Sequence, residues 1–121
     1  MRGGYIRPEL SLGGATIFPT QMALGAAGDT ALAYAQGRIT AREGRAVGIH
    51  LAYAPILDVN INPANPVINT RSYAGDPKLA ARLGASFVRG MQEHGMLATG
   101  KHFPGHGDTE TNSHLALPSV N

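Results

Sequence analysis

Two apolar runs, each following a segment that reads as a capped helix, limit the folds open to this chain more than any other feature. Residues 49 to 59, Ile-His-Leu-Ala-Tyr-Ala-Pro-Ile-Leu-Asp-Val, are almost continuously apolar, and residues 96 to 101 form a shorter second run. Such runs mark strands buried on both faces. The segment from Asp29 to Val47 reads as a helix: Asp29 is a natural N-cap, Leu32, Ala35, Ile39 and Ala46 mark a rough apolar stripe, and Gly48 stands where a C-cap glycine would end it. A second helix is expected from Asp76 to Glu93, with Pro77 in its first turn, Leu79, Leu83, Phe87 and Met91 spaced four apart, and His94-Gly95 ending it. Residues 1 to 20 read as a glycine-punctuated loop leading into a short strand, Ala15 to Phe18. Strands and helices in this alternation predict an α/β fold with a parallel sheet.

In parallel α/β sheets the chemistry lies beyond the carboxyl ends of the strands. Asp58, Lys101 and His102 all fall at such ends, and Arg71 lies in a loop that follows one. That loop, Asn60 to Asp76, is long and rich in Asn and Pro, and loops of that length in compact domains usually carry function or disorder. The densest chemistry is in residues 100 to 114, Gly-Lys-His-Phe-Pro-Gly-His-Gly-Asp-Thr-Glu-Thr-Asn-Ser-His. Three histidines, a lysine and an aspartate share a glycine-punctuated loop, an arrangement that holds ionisable side chains close together and out of the core.

Composition removes several other readings. At 121 residues the chain is at most one domain or a piece of one. A formal charge of +2, from scattered basic residues, gives no support to nucleic-acid binding. The absence of cysteine excludes disulfides and thiolate chemistry. No stretch approaches the roughly 20 apolar residues of a membrane span, and Met1 to Glu9 lacks the apolar core of a signal peptide. The compartment and the oligomeric state stay open.

Three segments carry a resemblance: Gly-Gly-Ala-Thr-Ile-Phe-Pro-Thr-Gln-Met-Ala-Leu-Gly-Ala (13 to 26), residues 41 to 77, and Lys-His-Phe-Pro-Gly-His-Gly-Asp-Thr-Glu-Thr-Asn-Ser-His-Leu-Ala-Leu-Pro (101 to 118). In this order they resemble the N-terminal catalytic domain of glycoside hydrolase family 3, and the last segment resembles the family's bacterial β-N-acetylglucosaminidases. The resemblance implies a partial (β/α)8 barrel, since such barrels take about 250 residues. It implies one domain fragment over residues 1 to 121, incomplete at both ends. It also implies a retaining, exo-acting β-glycosidase that removes a terminal β-linked N-acetylglucosamine, with β-glucosidase activity or a non-catalytic sugar-binding remnant as alternatives. The family's nucleophile is an aspartate in a Ser-Asp context, which these residues do not contain; the chain alone is therefore expected to be inactive.

Carried over residue by residue, His114 matches the general acid/base. Histidine suits that work because its ordinary pKa of about 6.5 lets it give and take a proton near neutral pH. The family's loop reads Asp-Ser-His, and here Asn112 stands at the place of the aspartate that orients the imidazole. An amide can hold the ring but cannot offset its positive charge, so a weaker base is expected, with a carboxylate supplied by Asp108 or Glu110 as the alternative. Lys101 and His102 match a pair that hydrogen-bonds sugar hydroxyls. Arg71 matches a sugar-binding arginine, with pairing to Asp58 or Asp76 as the structural alternative. Arg7 matches a further substrate-contacting arginine by its spacing.

Asp58 reads as a loop-organising acceptor, with a ligand contact as the alternative, His106 and Asp108 as shaping the histidine loop, and Gly105 and Gly107 as allowing unusual backbone angles. Phe103 and Pro104 are expected to pack. As ligands for a divalent metal, His102, His106, Asp108 and His114 match no zinc spacing such as His-Glu-x-x-His. No metal or organic cofactor is expected.

Overall fold

The computed structural model describes residues 14–110 together with Asn112, Leu115 and Leu117. The elements run in the order α1 (Gln21–Ala27), α2 (Thr30–Ala46), β1 (Leu51–Ala52), α3 (Pro77–Gln92) and β2 (Leu97–Ala98), with a 3-10 turn at Asn69–Arg71 between β1 and α3. The two strands pair in parallel, Leu51 opposite Leu97 and Ala52 opposite Ala98. This is α/β architecture, with α3 as the connection between parallel neighbours.

Both long helices begin where the sequence places them. The Asp29 carboxylate accepts from the Ala31 N–H at 2.7 Å, and Asp76 accepts from Lys78 and Leu79 at 3.2 and 3.0 Å. Each therefore satisfies donors that a first helical turn leaves unpaired. At the far ends, Gly48 and Gly95 adopt φ of +86° and +81°, a region where a side chain is strained and glycine is not.

The buried stripe of α2 differs from the expected one. Leu32 and Ala46 are exposed, while Ala33, Gly37 and Ala41 are buried. The reason is the nearness of α3. A Cβ on Gly37 would lie 2.2 Å from the Phe87 carbonyl oxygen, and one on Gly90 would lie 2.2 Å from the Tyr34 carbonyl oxygen. Small residues facing each other let the two backbones approach, so α2 turns its small residues inward rather than its larger ones. The stripe of α3 is closer to expectation: Leu83, Phe87 and Met91 are buried, and Leu79 packs at the margin. Leu24 of α1, Ala33, Tyr73, Ala80 and Leu83 form one core cluster, and Ala41, Phe87, Met91 and Met96 form a second beneath the strands.

The N-terminal part of the described chain departs from expectation. Ala15 to Phe18 is not a strand, because the Thr16 N–H goes to the Glu43 carboxylate, at 3.0 and 3.2 Å, rather than to a sheet partner. Helix α1, which the sequence reading did not place, follows directly and ends at Gly28.

The apolar runs are extended, but their regular pairing is short. Pro55 has no N–H to donate to a ladder, so pairing stops after Ala54 and resumes as a single bridge between Ile56 and Lys101. Nor are the strands covered on both sides. Ala52, Ala54 and Ala98 pack against the helices, whereas Leu51, Tyr53 and Leu97 are exposed among the described residues.

Close helix packing gives a direct test. Alanine is the better helix former by about 1 kcal/mol. Even so, Gly37→Ala is expected to lower stability by roughly 1–3 kcal/mol, because its methyl must push the Phe87 backbone away. Chemical denaturation of the two proteins checks this, and a midpoint equal to or above that of the parent would show the helices to be less tightly apposed.

Candidate functional site

The site forms where the β2 line ends. Lys101 is held on both sides of its peptide by the other strand: its N–H donates to the Pro55 carbonyl at 3.1 Å, and its own carbonyl accepts from the Leu57 N–H at 2.6 Å. Pinned to that bridge, the backbone leaves the sheet into the loop of residues 102 to 110, with cis peptides at Lys101-His102 and Phe103-Pro104.

Asp58 organises the loop. Its carboxylate is buried, with only 4% of the residue exposed, and accepts three N–H donors. The His102 backbone N–H and ring Nδ1 reach Oδ2 at 3.0 and 2.6 Å, and the His106 N–H reaches Oδ1 at 2.6 Å. A carboxylate so placed acts only as an acceptor, which puts the proton of the His102 ring on Nδ1 and leaves Nε2 for a ligand. The acceptor role read from the sequence for Asp58 is thus the one the structure shows.

The long loop between β1 and α3 supports the same arrangement from the other side. Ser72 donates its hydroxyl to the Asp58 carbonyl at 2.6 Å. Asn65 donates to the His106 carbonyl at 2.5 Å while its side-chain oxygen accepts from Val67 and Ile68 at 2.9 and 2.7 Å. Sequence reasoning did not single out Asn65 or Ser72. The Asn-Pro repetition around Asn65 announces a structured loop, but nothing in it names a partner 41 residues away.

The loop glycines divide the work expected of them. Gly105 has φ of +140°, an angle that glycine tolerates. Gly107 has no such angle; it is needed because a Cβ there would lie 1.7 Å from the Val59 carbonyl oxygen. His106 is buried and its Nδ1 is hydrogen-bonded to the Thr109 hydroxyl. Phe103, expected to pack, is instead 98% exposed among the described residues.

A cavity of about 440 Å³ opens over this loop, a volume within the usual range of small-molecule sites, roughly 300–1,000 Å³. Asp58, Lys101, His102, Phe103 and Asp108 are among its lining. The Lys101 ammonium is held below the ordinary lysine range, first by burial and then by the neighbouring Arg71 guanidinium, with Asp58 pulling the other way. Two cations kept close in partly desolvated surroundings favour a ligand rich in oxygen.

Arg71 follows neither part of its structural alternative. Asp58 is taken up by the two histidines and Asp76 by the start of α3, while Arg71 donates from Nη1 to the Val67 carbonyl at 2.9 Å. Its Nε is buried and without a partner among the described residues. Asn112 is half-buried, and its carbonyl accepts from Leu115 at 2.9 Å. Arg7 and His114 lie outside the described residues, and with His114 the four-residue metal set. Among the described residues no helix is long and apolar enough to cross a membrane.

Removing Asp58 strands three donors, whereas removing Asp76 frees one solvated helix end. Asp58→Ala is therefore expected to cost about 2–4 kcal/mol of stability, against about 1 kcal/mol for Asp76→Ala. Unfolding of both variants in denaturant ranks them. An equal or smaller loss for Asp58→Ala would contradict the organising role.

Comparison with known proteins agrees with this geometry. The model of the glycosyl hydrolase family 3 N-terminal domain matches residues 4–121. The chain is 49% identical over 82 residues to a beta-hexosaminidase of Pseudomonas aeruginosa, covering 68% of this chain and 24% of that protein. It is 41% identical over 107 residues to a beta-N-acetylglucosaminidase/beta-glucosidase of Cellulomonas fimi, covering 88% of this chain and 19% of that one. Among solved structures, a glycoside hydrolase family 3 beta-N-acetylglucosaminidase from Paenibacillus superposes with a TM-score of 0.88 and 56% identity, over 91% of this chain and 21% of that one. The chain thus spans about a quarter of the length of the first curated relatives it matches. With a parallel strand pair, a cavity at its carboxyl end that takes in Asp58, Lys101 and His102, and this match over nearly its whole length, the chain belongs to glycosyl hydrolase family 3 and carries sequence of that family's N-terminal domain.

Proposed function

We propose that these 121 residues form part of a (β/α)8 barrel in a retaining, exo-acting β-glycosidase whose substrate carries a terminal β-linked N-acetylglucosamine. The observation that carries the reading is the Lys101-His102 pair at the carboxyl end of the β2 line, lining a cavity with the His102 ring fixed by Asp58. Ammonium and imidazole donors suit sugar hydroxyls, and the neighbouring Arg71 has a planar fork that suits two adjacent oxygens. The exposed strand face of Leu51, Tyr53 and Leu97 is the one further barrel strands would cover.

The chemistry follows from the type of reaction. A carboxylate nucleophile attacks the anomeric carbon while the acid protonates the leaving oxygen. The same group then takes a proton from the water that releases the sugar. His114 is assigned the acid/base role and Arg7 a further substrate contact. Asn112 stands beside the acid/base in sequence, where a carboxylate would stabilise the imidazolium. The nucleophile is assigned to a Ser-Asp segment outside these residues, so turnover belongs to the longer protein and these 121 residues by themselves are inactive. The double name of the Cellulomonas relative supports β-glucosidase activity as the second reading.

In the full-length protein, Lys101→Ala is expected to lower kcat/KM on an aryl β-N-acetylglucosaminide about 10- to 100-fold, the loss of one charged hydrogen bond to substrate. Asn112→Asp is expected to raise turnover severalfold by stabilising the protonated imidazole. Steady-state rates on the glucosaminide and the matching glucoside measure both effects and rank the two substrates. Undiminished kcat/KM in Lys101→Ala would remove the proposed sugar contact.

A further inference from the structure

The pin between the two functional loops is a residue that no charge or motif picks out. Asn65 is 1% exposed, and its two side-chain ends face different parts of the site. The oxygen accepts from Val67 and Ile68, which fixes the start of the turn that carries Arg71. The nitrogen donates to the His106 carbonyl at 2.5 Å and lies 3.4 Å from the Thr109 hydroxyl oxygen. That hydroxyl is itself bonded to the His106 ring. One buried amide therefore joins the Arg71 loop to the far half of the histidine loop. Asn62 adds longer contacts on the same side, from its N–H to the Gly107 carbonyl and from its Nδ2 to the Asp108 carbonyl, both 3.4 Å.

Asp58 and Asn65 hold different stretches of the loop. Asp58 fixes its first half at His102 and the His106 N–H. Beyond His106, Asn65 and Asn62 make contacts across from the long loop among the described residues. In sequence, Thr109 precedes His114 by five residues. An amide is the side chain this place requires, since it must donate at one end and accept at the other. Aspartate has the same shape and no donor.

We infer that Asn65 is a positioning residue for proton transfer: it holds residues 106 to 109, from which the chain runs on in sequence to the acid/base, against the loop that carries Arg71. The inference rests on the glycosidase reading above. It leads to a specific kinetic signature rather than a general loss. A dinitrophenolate leaves without help from an acid, whereas an alcohol or a second sugar must be protonated as its bond breaks. Loosening the hold on residues 106 to 109 is therefore expected to harm the second kind of substrate far more than the first.

The test uses the full-length protein and Asn65→Asp, assayed with 2,4-dinitrophenyl β-N-acetylglucosaminide and with chitobiose. The quantity read is the ratio of the two kcat/KM values, which does not depend on how much of a preparation is folded. The variant is expected to lose at least 10-fold more on chitobiose than on the dinitrophenyl substrate. Equal losses on both, or none, would overturn the positioning role and leave the glycosidase reading intact. A parent protein that hydrolyses neither substrate would overturn both. Thr109→Val removes the hydroxyl at the other end of the contact and perturbs the fold less; it is expected to show the same bias in smaller size, and equal losses there would count against the inference in the same way.

Discussion

One buried carboxylate holds the site together. Asp58 stands at the end of an apolar strand, where an ionised group without partners would be expensive to bury. Three N–H donors from the histidine loop offset that cost, and they bring the loop to the strand end in doing so. The same contact sets the orientation of the His102 ring beside Lys101. Stability and ligand geometry therefore share one interaction: weakening the carboxylate loosens the loop and releases the ring together.

The surroundings keep that contact in place. Ser72 ties the carbonyl of Asp58 to the long loop, and Asn65 ties the long loop to His106. Gly107 lets the histidine loop lie against the Val59 backbone, closer than any side chain would permit. Behind the strands, Gly37 and Gly90 let α2 and α3 pack at backbone distance, which carries the second core cluster up beneath Ala52, Ala54 and Ala98. Close approach, more than bulk, shapes this part of the molecule: at each of these places the sequence uses a residue because of what it lacks.

Much of this was legible in the sequence where the cause is local. Asp29, Asp76 and Pro77 start helices through bonds to their own next few residues, so the boundaries of α2 and α3 could be read within a residue or so. The acceptor role of Asp58 was legible as one of two uses for a carboxylate at the end of an apolar run, a ligand contact being the other, and the three N–H donors decide between them. What escaped has a distant cause. The inward face of α2 is set by Phe87 on another helix, the fate of Thr16 by Glu43, and the roles of Asn65 and Ser72 by backbone groups in other parts of the chain. Helix α1 escaped for a different reason, since it is short and its N-cap Thr20 makes no side-chain bond to announce it.

Family membership and cavity chemistry meet in one claim, that the full-length protein cleaves a terminal β-N-acetylglucosaminide through a covalent intermediate. Proton NMR of the sugar first released from an aryl β-N-acetylglucosaminide tests it most directly. The account predicts that the β-anomer appears first and mutarotates afterwards to the equilibrium mixture. Initial release of the α-anomer would contradict the double displacement, and no release at all would contradict the activity itself.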